Sequence, residues 1–438
     1  MPIRTREFNA AAPSGPSALS LTARLCALVL LCFAIYFAAR QGVGAWYFRS
    51  GQPNDIEAAI RWDPSNPQYP GALANVMHFY ADSANAGRIV RLCETAVSLS
   101  PYDAHYWADL GSAYDWAGRP EDALRAFERA HALFPNSSDI NWRLANFDIR
   151  ARRISDGLHL LQSVLLAGGV DERQIFSLAT RATSDNAAIL REMIPARAPF
   201  LLDYLDFQVG AGNIDAAQET WKHLLGSKLP FDLPQALPYL DALIQHRDLD
   251  AASGTWNELG ELFPAKIPKR TPDGNLITNA DFALAVLNGG FDWRVNPAEG
   301  AAVTVTPPGA AGEMGSLAIE FDGSRNLEYA NVLQLVRVQP RTEYQFSAET
   351  RTQGITTDCG PRFQVFDIGD MTRLWATPNR VGTSDWSRDT LNFRTGANTR
   401  LLVVRIERPA SSKFDNKISG TIWIRRVALV PVAQDVKH

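Results

Sequence analysis

Cysteine is scarce, and its four positions do not suit a disulfide framework: Cys26 and Cys32 share one apolar N-terminal run, while Cys93 and Cys359 fall in segments of different character. No C-x-x-C or Cys/His ligand spacing occurs, so no structural zinc is expected, and no other metal or cofactor is called for. Excess charge is also missing. With 43 basic and 47 acidic side chains and no local basic cluster, the chain lacks the cationic field that general nucleic-acid binding needs. Histidine is absent from residues 247–437, which removes imidazole as base or metal ligand from that stretch. There is no G-x-S-x-G, H-E-x-x-H or G-x-x-x-x-G-K motif, and no G-x-G-x-x-G after a strand. A hydrophobic content of 46% excludes a largely disordered chain, and 438 residues suffice for two or three domains.

The first feature present is the run Leu25–Ala39, free of charge and extendable to membrane length over 17–40 if Arg24 snorkels. It reads as a signal-anchor helix after a short cytoplasmic tail, 1–16. A cleaved signal peptide and a buried core helix are the alternatives. Phe37-Ala38-Ala39 places a bulky residue where a cleavage site needs a small one, and Leu31 before Cys32 argues against a lipoprotein. Arg4, Arg6 and Arg24 precede the span and Arg40 and Arg49 follow it, a thin bias towards a cytoplasmic N-terminus. Trp46, Tyr47 and Phe48 look like an interfacial aromatic belt. The expected location is the inner membrane, single-pass, with the bulk of the chain periplasmic or extracytoplasmic.

Over 41–266 the sequence repeats. Pro67, Pro101 and Pro135 each close an Ala-rich helical segment at intervals of 34, and the copy containing Trp107, Leu110, Gly111, Tyr114, Ala123, Phe127, Ala130 and Pro135 has small and large residues at fixed offsets. Leu73, Tyr80, Ala96 and Pro101 keep register before it and Leu144, Ala145 and Leu161 after it; Ala217 and Trp221 answer to Ala252 and Trp256 further on. Five or six helix pairs are expected, with the aromatics as core. This stretch resembles the tetratricopeptide family, and the resemblance implies an α-solenoid whose groove takes a protein partner. Polar first-helix candidates for that groove are Asn75, His78, Asp109, Ser112 and Asn146. The histidines here show no i, i+4 pairing that would suggest a metal site.

Pro264, Pro268 and Pro272 mark a linker at 267–274. From 275 to 438 about nine short strands follow. In Thr342–Thr352, Tyr344, Phe346, Ala348 and Thr350 alternate with Gln345, Ser347, Glu349 and Arg351, the pattern of a half-buried antiparallel strand. A β-sandwich is expected, so the fold class is multidomain α plus β. The opening block Asn275-x-x-x-Asn279-x-Asp281-Phe282, the strand around Tyr344 and the closing strand with Ile422-Trp423-Ile424 together resemble the family 4/9 carbohydrate-binding modules, galactose-binding-like jelly rolls. That resemblance implies a polysaccharide ligand. Trp293, Tyr329, Trp375 and Trp386 are the stacking candidates, Trp375 foremost, and Gln345, Glu349, Arg351, Arg362, Gln364, Arg405 and Glu407 would line a polar sheet face. The closing strand departs from the family: Arg425 and Arg426 stand where an acidic residue associated with structural calcium is common, which leaves only Asn275, Asn279 and Asp281 as weak calcium candidates.

Glu320, Asp322, Glu349, Asp367 and Glu407 supply carboxylates for a glycosidase pair, but nothing in the sequence sets their separation. The reading is a non-catalytic membrane-anchored envelope scaffold in exopolysaccharide or surface-polysaccharide assembly. The alternatives are a pure protein-interaction adaptor and a carbohydrate-processing enzyme of unrecognised type.

Overall fold

The computed structural model describes residues 21–79, 85–268, 274–309 and 314–432. The tail expected over 1–16, the start of the apolar span, Tyr80 and most of the 267–274 linker lie outside these residues. The chain divides into two compact units, 1–195 and 196–438.

In the first unit, α1 (Leu21–Phe48) is one continuous helix, long and apolar enough to cross a membrane. Its side chains from Leu25 to Phe37 are exposed, which leaves a membrane anchor or signal sequence rather than a buried core helix. From Gly44 onward the same helix is packed. Gly44 sits against Asp63 and Tyr69, and the Phe48 ring lies 5.0 Å from that of Tyr69. The expected aromatic belt is therefore reduced to Trp46; Tyr47 and Phe48 join the core with Ile56 of α2 (Pro53–Trp62).

Helix pairs follow: α3 (Gln68–Phe79) with α4 (Ala86–Leu99), α5 (Ala104–Trp116) with α6 (Pro120–Leu133), α7 (Ser138–Arg150) with α8 (Ile154–Ala167), and α9 (Glu172–Ala182) with α10 (Asn186–Glu192). The repeat chemistry is local. A Cβ on Gly111 would lie 2.8 Å from the buried Phe127 ring, so only glycine lets α5 and α6 approach this closely. Trp107 donates its indole N–H to the Pro101 carbonyl (2.9 Å), fixing the turn that the proline opens. Asp103, Ser137 and Asp171 each cap a first helix by accepting a backbone N–H in its first turn. Cys93 is buried in α4, and burial pushes its thiol up to about 12.

The second unit holds two more pairs, α11 (Ala198–Gly210) with α12 (Ile214–Ser227) and α13 (Leu233–Gln245) with α14 (Leu249–Leu262), together with all of the strands. The last helix ends at Leu262 and the first strand begins at Arg294, while the compact units divide at 195/196. The strands are β1 (Arg294–Val295), β2 (Ala301–Thr306), β3 (Ser316–Asp322), β4 (Tyr329–Arg337), β5 (Glu343–Ile355), β6 (Arg362–Asp367), β7 (Asp370–Ala376), β8 (Gly382–Arg394), β9 (Leu401–Arg408) and β10 (Ser419–Pro431). They form two antiparallel sheets, β1-β4-β9-β6-β7 and β2-β3-β10-β5-β8. From β3 to β6 and from β8 to β10 the chain crosses between sheets at every step. The sheets face each other across one core, where Phe346 of the second meets Phe363 of the first (5.0 Å) and Phe321 meets Tyr329 edge-on (5.5 Å).

Candidate functional site

Two surfaces carry the candidates, one in each unit. On the first helices α3, α5 and α7, repetition stacks equivalent positions. Asn75, Asp109 and Arg143 form a bonded row: the Asn75 amide donates to Asp109 (3.2 Å), and Arg143 donates to the other Asp109 oxygen (2.7 Å). His78, Ser112 and Asn146 occupy a second set of equal offsets. His78 stacks on Trp116 (5.3 Å), while Ser112 and Asn146 donate to carbonyls of their own helices, Ala108 and Trp142. All five expected residues thus lie on corresponding positions. Arg143 was not among them, although its spacing from Asp109 matches that of Asp109 from Asn75.

In the sandwich, the expected polar face resolves into two faces on opposite sheets. Gln345, Glu349 and Arg351 project outward from β5, in the second sheet; Arg362, Gln364, Arg405 and Glu407 project outward from β6 and β9, in the first. This separation corrects the single-face expectation, and its cause is the crossing of the chain between β5 and β6.

The outer face of the second sheet combines aromatics and guanidiniums. The Arg351 guanidinium lies over the Trp423 ring (4.6 Å), and that of Arg425 lies over Trp386 (4.0 Å). Glu349 sits among them and accepts from Arg425 (2.9 Å) and Arg426 (3.0 Å), with Arg388 at 3.7 Å. Burial alone would push the Glu349 carboxyl up, but the hydrogen bonds from Arg426 and Arg425 outweigh it and hold the group below the usual range. Register places these residues side by side: Trp423 opposes Arg351, Arg425 opposes Glu349, and Glu349 opposes Arg388. Gln345 bonds Asn392 on the same face (3.2 Å). Trp423 was absent from the expected set, yet strand alternation identifies it, because Ile422 and Ile424 point into the core.

The first sheet's outer face is different. Glu407 accepts from Arg362 (2.7 Å) and Arg405 (3.2 Å), and Arg405 also donates to Gln364 (2.8 Å) while lying over Phe366, so the polar groups satisfy one another. At the β1 and β4 side the helices meet this sheet. Asp241 of α13 takes Arg294 in a two-point ion pair (2.6 and 3.0 Å), and Arg337 donates to the Leu249 carbonyl (3.1 Å) and pairs with Asp250. Gly290, at positive φ, packs on Leu240 and Trp256 and donates to Asp241 (2.8 Å).

Three of the four expected stacking rings are not surface platforms. Trp293 and Tyr329 are fully buried core residues. Trp375 faces the sandwich interior at its edge and stacks on Phe393 (4.3 Å, 21°). The calcium candidates are also committed elsewhere: Asn275 bonds the backbone at Ile277, Val427 and Leu429, Asn279 clasps Leu284 through both amide atoms, and Asp281 accepts from Ala283. No cluster of three His, Cys, Asp or Glu side chains placed to hold a metal occurs among the described residues. The carboxylates proposed for a glycosidase pair are engaged separately. Asp367 bonds Thr399 and the Gly369 N–H, Asp322 bonds Ser324, and Glu349 and Glu407 occupy opposite sheets.

A cleft of about 850 Å³ borders both α14 and the β10 bulge, with Glu258, Arg337, Arg388 and Arg426 on its walls. Buried Asp292 lies in the Gly289–Trp293 segment beside the helix contact. One of its oxygens accepts from Leu287 (2.8 Å), and burial pushes its carboxyl up to about 6.

Comparison with known proteins agrees with the helical part. Residues 117–182 match the tetratricopeptide repeat family. No curated protein matches the chain. Among solved structures, similarity extends to MamA protein (13% identity, 45% of this chain and 98% of that one, TM-score 0.31) and to a CBM4 structure (14%, 36% and 99%, TM-score 0.27). It extends also to the enzymatically active domain of tailspike protein 4 of bacteriophage CBA120 (11%, 36% of this chain, TM-score 0.25), of which this chain spans only 21%. The class the fold defines is a tetratricopeptide-type helical repeat array followed by a C-terminal antiparallel β-sandwich, a protein-interaction architecture.

Proposed function

We propose that this chain is a membrane-anchored, non-catalytic scaffold of the bacterial cell envelope that docks a protein on its first-helix rows and a glycan on the outer face of its second sheet. The observation carrying the glycan half is the Trp423–Arg351 and Trp386–Arg425 pairing around Glu349, which puts indole rings beside oriented hydrogen-bond donors on one sheet face. The protein half rests on the repeat architecture and on the row Asn75, Asp109 and Arg143. An exposed apolar helix leading into the array supports the anchor, and the arginine bias around it favours a periplasmic body. A role in polysaccharide assembly or export rests on this combination of parts.

A glycan array probed with the full chain in detergent tests the sandwich. Retention of a glycan class supports the proposal; silence on the array together with protein capture through the sandwich would leave a protein-only adaptor. Turnover of a bound polysaccharide would replace the scaffold with an enzyme. Reporter fusions at residues 60 and 432 are expected to report a periplasmic location, and cytoplasmic signal from both would overturn the orientation.

A further inference from the structure

We infer that the glycan taken by the second sheet is acidic, a polysaccharide bearing uronate carboxylates; the inference rests on the glycan reading above. Four guanidiniums, Arg351, Arg388, Arg425 and Arg426, stand on three adjacent strands. Arg394 adds a fifth cation on these strands; the carboxylates on them are Glu349, Glu343 opposite Arg394, Asp385 at the β8 bulge, and buried Asp389, which pairs with Arg380; Glu320 and Asp322 lie beyond β10 on β3. Positive charge therefore exceeds negative on the central strands although the whole chain carries −4. Glu349 is already shared by three arginines and cannot absorb their donors, since each guanidinium carries five N–H groups. Arg388 and Arg426 are the open members, with 59% and 47% of their side chains exposed.

Trp423 and Trp386 carry the Arg351 and Arg425 guanidiniums over their rings, which restrains both groups, and a guanidinium fork matches a carboxylate through two parallel hydrogen bonds. Charge complementarity thus selects an anionic chain, and the indoles beside the forks select a sugar over a plain polyanion. Arg388 and Arg426 also border the cleft, but its lining includes Glu258, Glu261 and Asp281, so the acidic chain is assigned to the sheet face and not to the cleft.

The test is titration of the full chain in detergent with polygalacturonate, with the same polymer fully methyl-esterified, and with polyglutamate. Polygalacturonate is expected to bind at least about tenfold more tightly than either control, with affinity falling as salt rises. The Arg388→Ala/Arg426→Ala variant is expected to lose that preference, binding acid and ester alike, while still unfolding in one cooperative transition. Equal affinity for acid and ester would overturn the acidic preference and leave glycan binding standing. Polyglutamate bound as tightly as polygalacturonate would reduce the face to a plain polyanion site and overturn it as well. Binding of no saccharide at all would remove both the inference and the reading beneath it.

Discussion

Tyr329 and Asp292 are buried polar groups whose environments make opposite demands. The Tyr329 hydroxyl has no hydrogen-bond partner among the described residues, and burial raises its pKa. Removing an unpaired buried hydroxyl relieves a desolvation cost, so Tyr329→Phe is expected to leave stability unchanged or raise it by up to about 2 kcal/mol in a denaturant titration, with glycan retention intact. A loss of retention would return this ring to the binding face. Asp292 has a folded-state pKa of about 6, above its ordinary value of 3.8, because burial disfavours its charge. The native state therefore holds its proton over a pH range where the unfolded chain has released it, and stability falls as pH rises from about 4 to about 6, by at most roughly 1.4 kcal/mol per pH unit. Melting curves at pH 5 and pH 7 should show this loss in the parent, with a flatter dependence in Asp292→Asn.

Elements are legible in the sequence where the chemistry is local and repeated. The 34-residue interval of Pro67, Pro101 and Pro135 locates the helix pairs, and the caps Asp103, Ser137 and Asp171 share that interval, as does the bonded row Asn75, Asp109 and Arg143. Alternation within a strand separates inward from outward residues, and on that basis Trp423 is readable as a surface ring. Alternation cannot say which sheet a strand joins, so Glu349 on β5 and Gln364 on β6 look alike in sequence and lie on opposite faces in space. Nor does it reveal the loop network of buried Arg408, which donates to Cys359 (2.8 Å), Asn326 (2.8 Å), Leu327 (2.6 Å) and Asn416 (3.0 Å) and so ties together segments distant along the chain. Arg408→Met leaves these acceptors without the cation and is expected to cost more than about 3 kcal/mol in chemical denaturation. A cost below about 1 kcal/mol would mean that the loops hold themselves. Ser137→Ala removes one cap and should cost about 1 kcal/mol in the same assay.

For the whole molecule, the continuity of α1 matters most, because the apolar turns run without a break into turns packed on α2 and α3. In the proposed anchored state, this continuity would couple the first unit to the bilayer through a helix rather than through a flexible tether. The second unit places a helical hairpin against one sheet and leaves the aromatic and arginine-rich face on the other. In the proposed function this second face, not the first sheet's network, holds the glycan. The most direct measurement compares, by calorimetric titration with one retained saccharide, the full-length Trp386→Ala/Trp423→Ala and Arg362→Ala/Arg405→Ala proteins. At least about a tenfold loss of affinity is expected for the tryptophan pair and parental affinity for the arginine pair; the reverse pattern would contradict glycan binding on the second sheet.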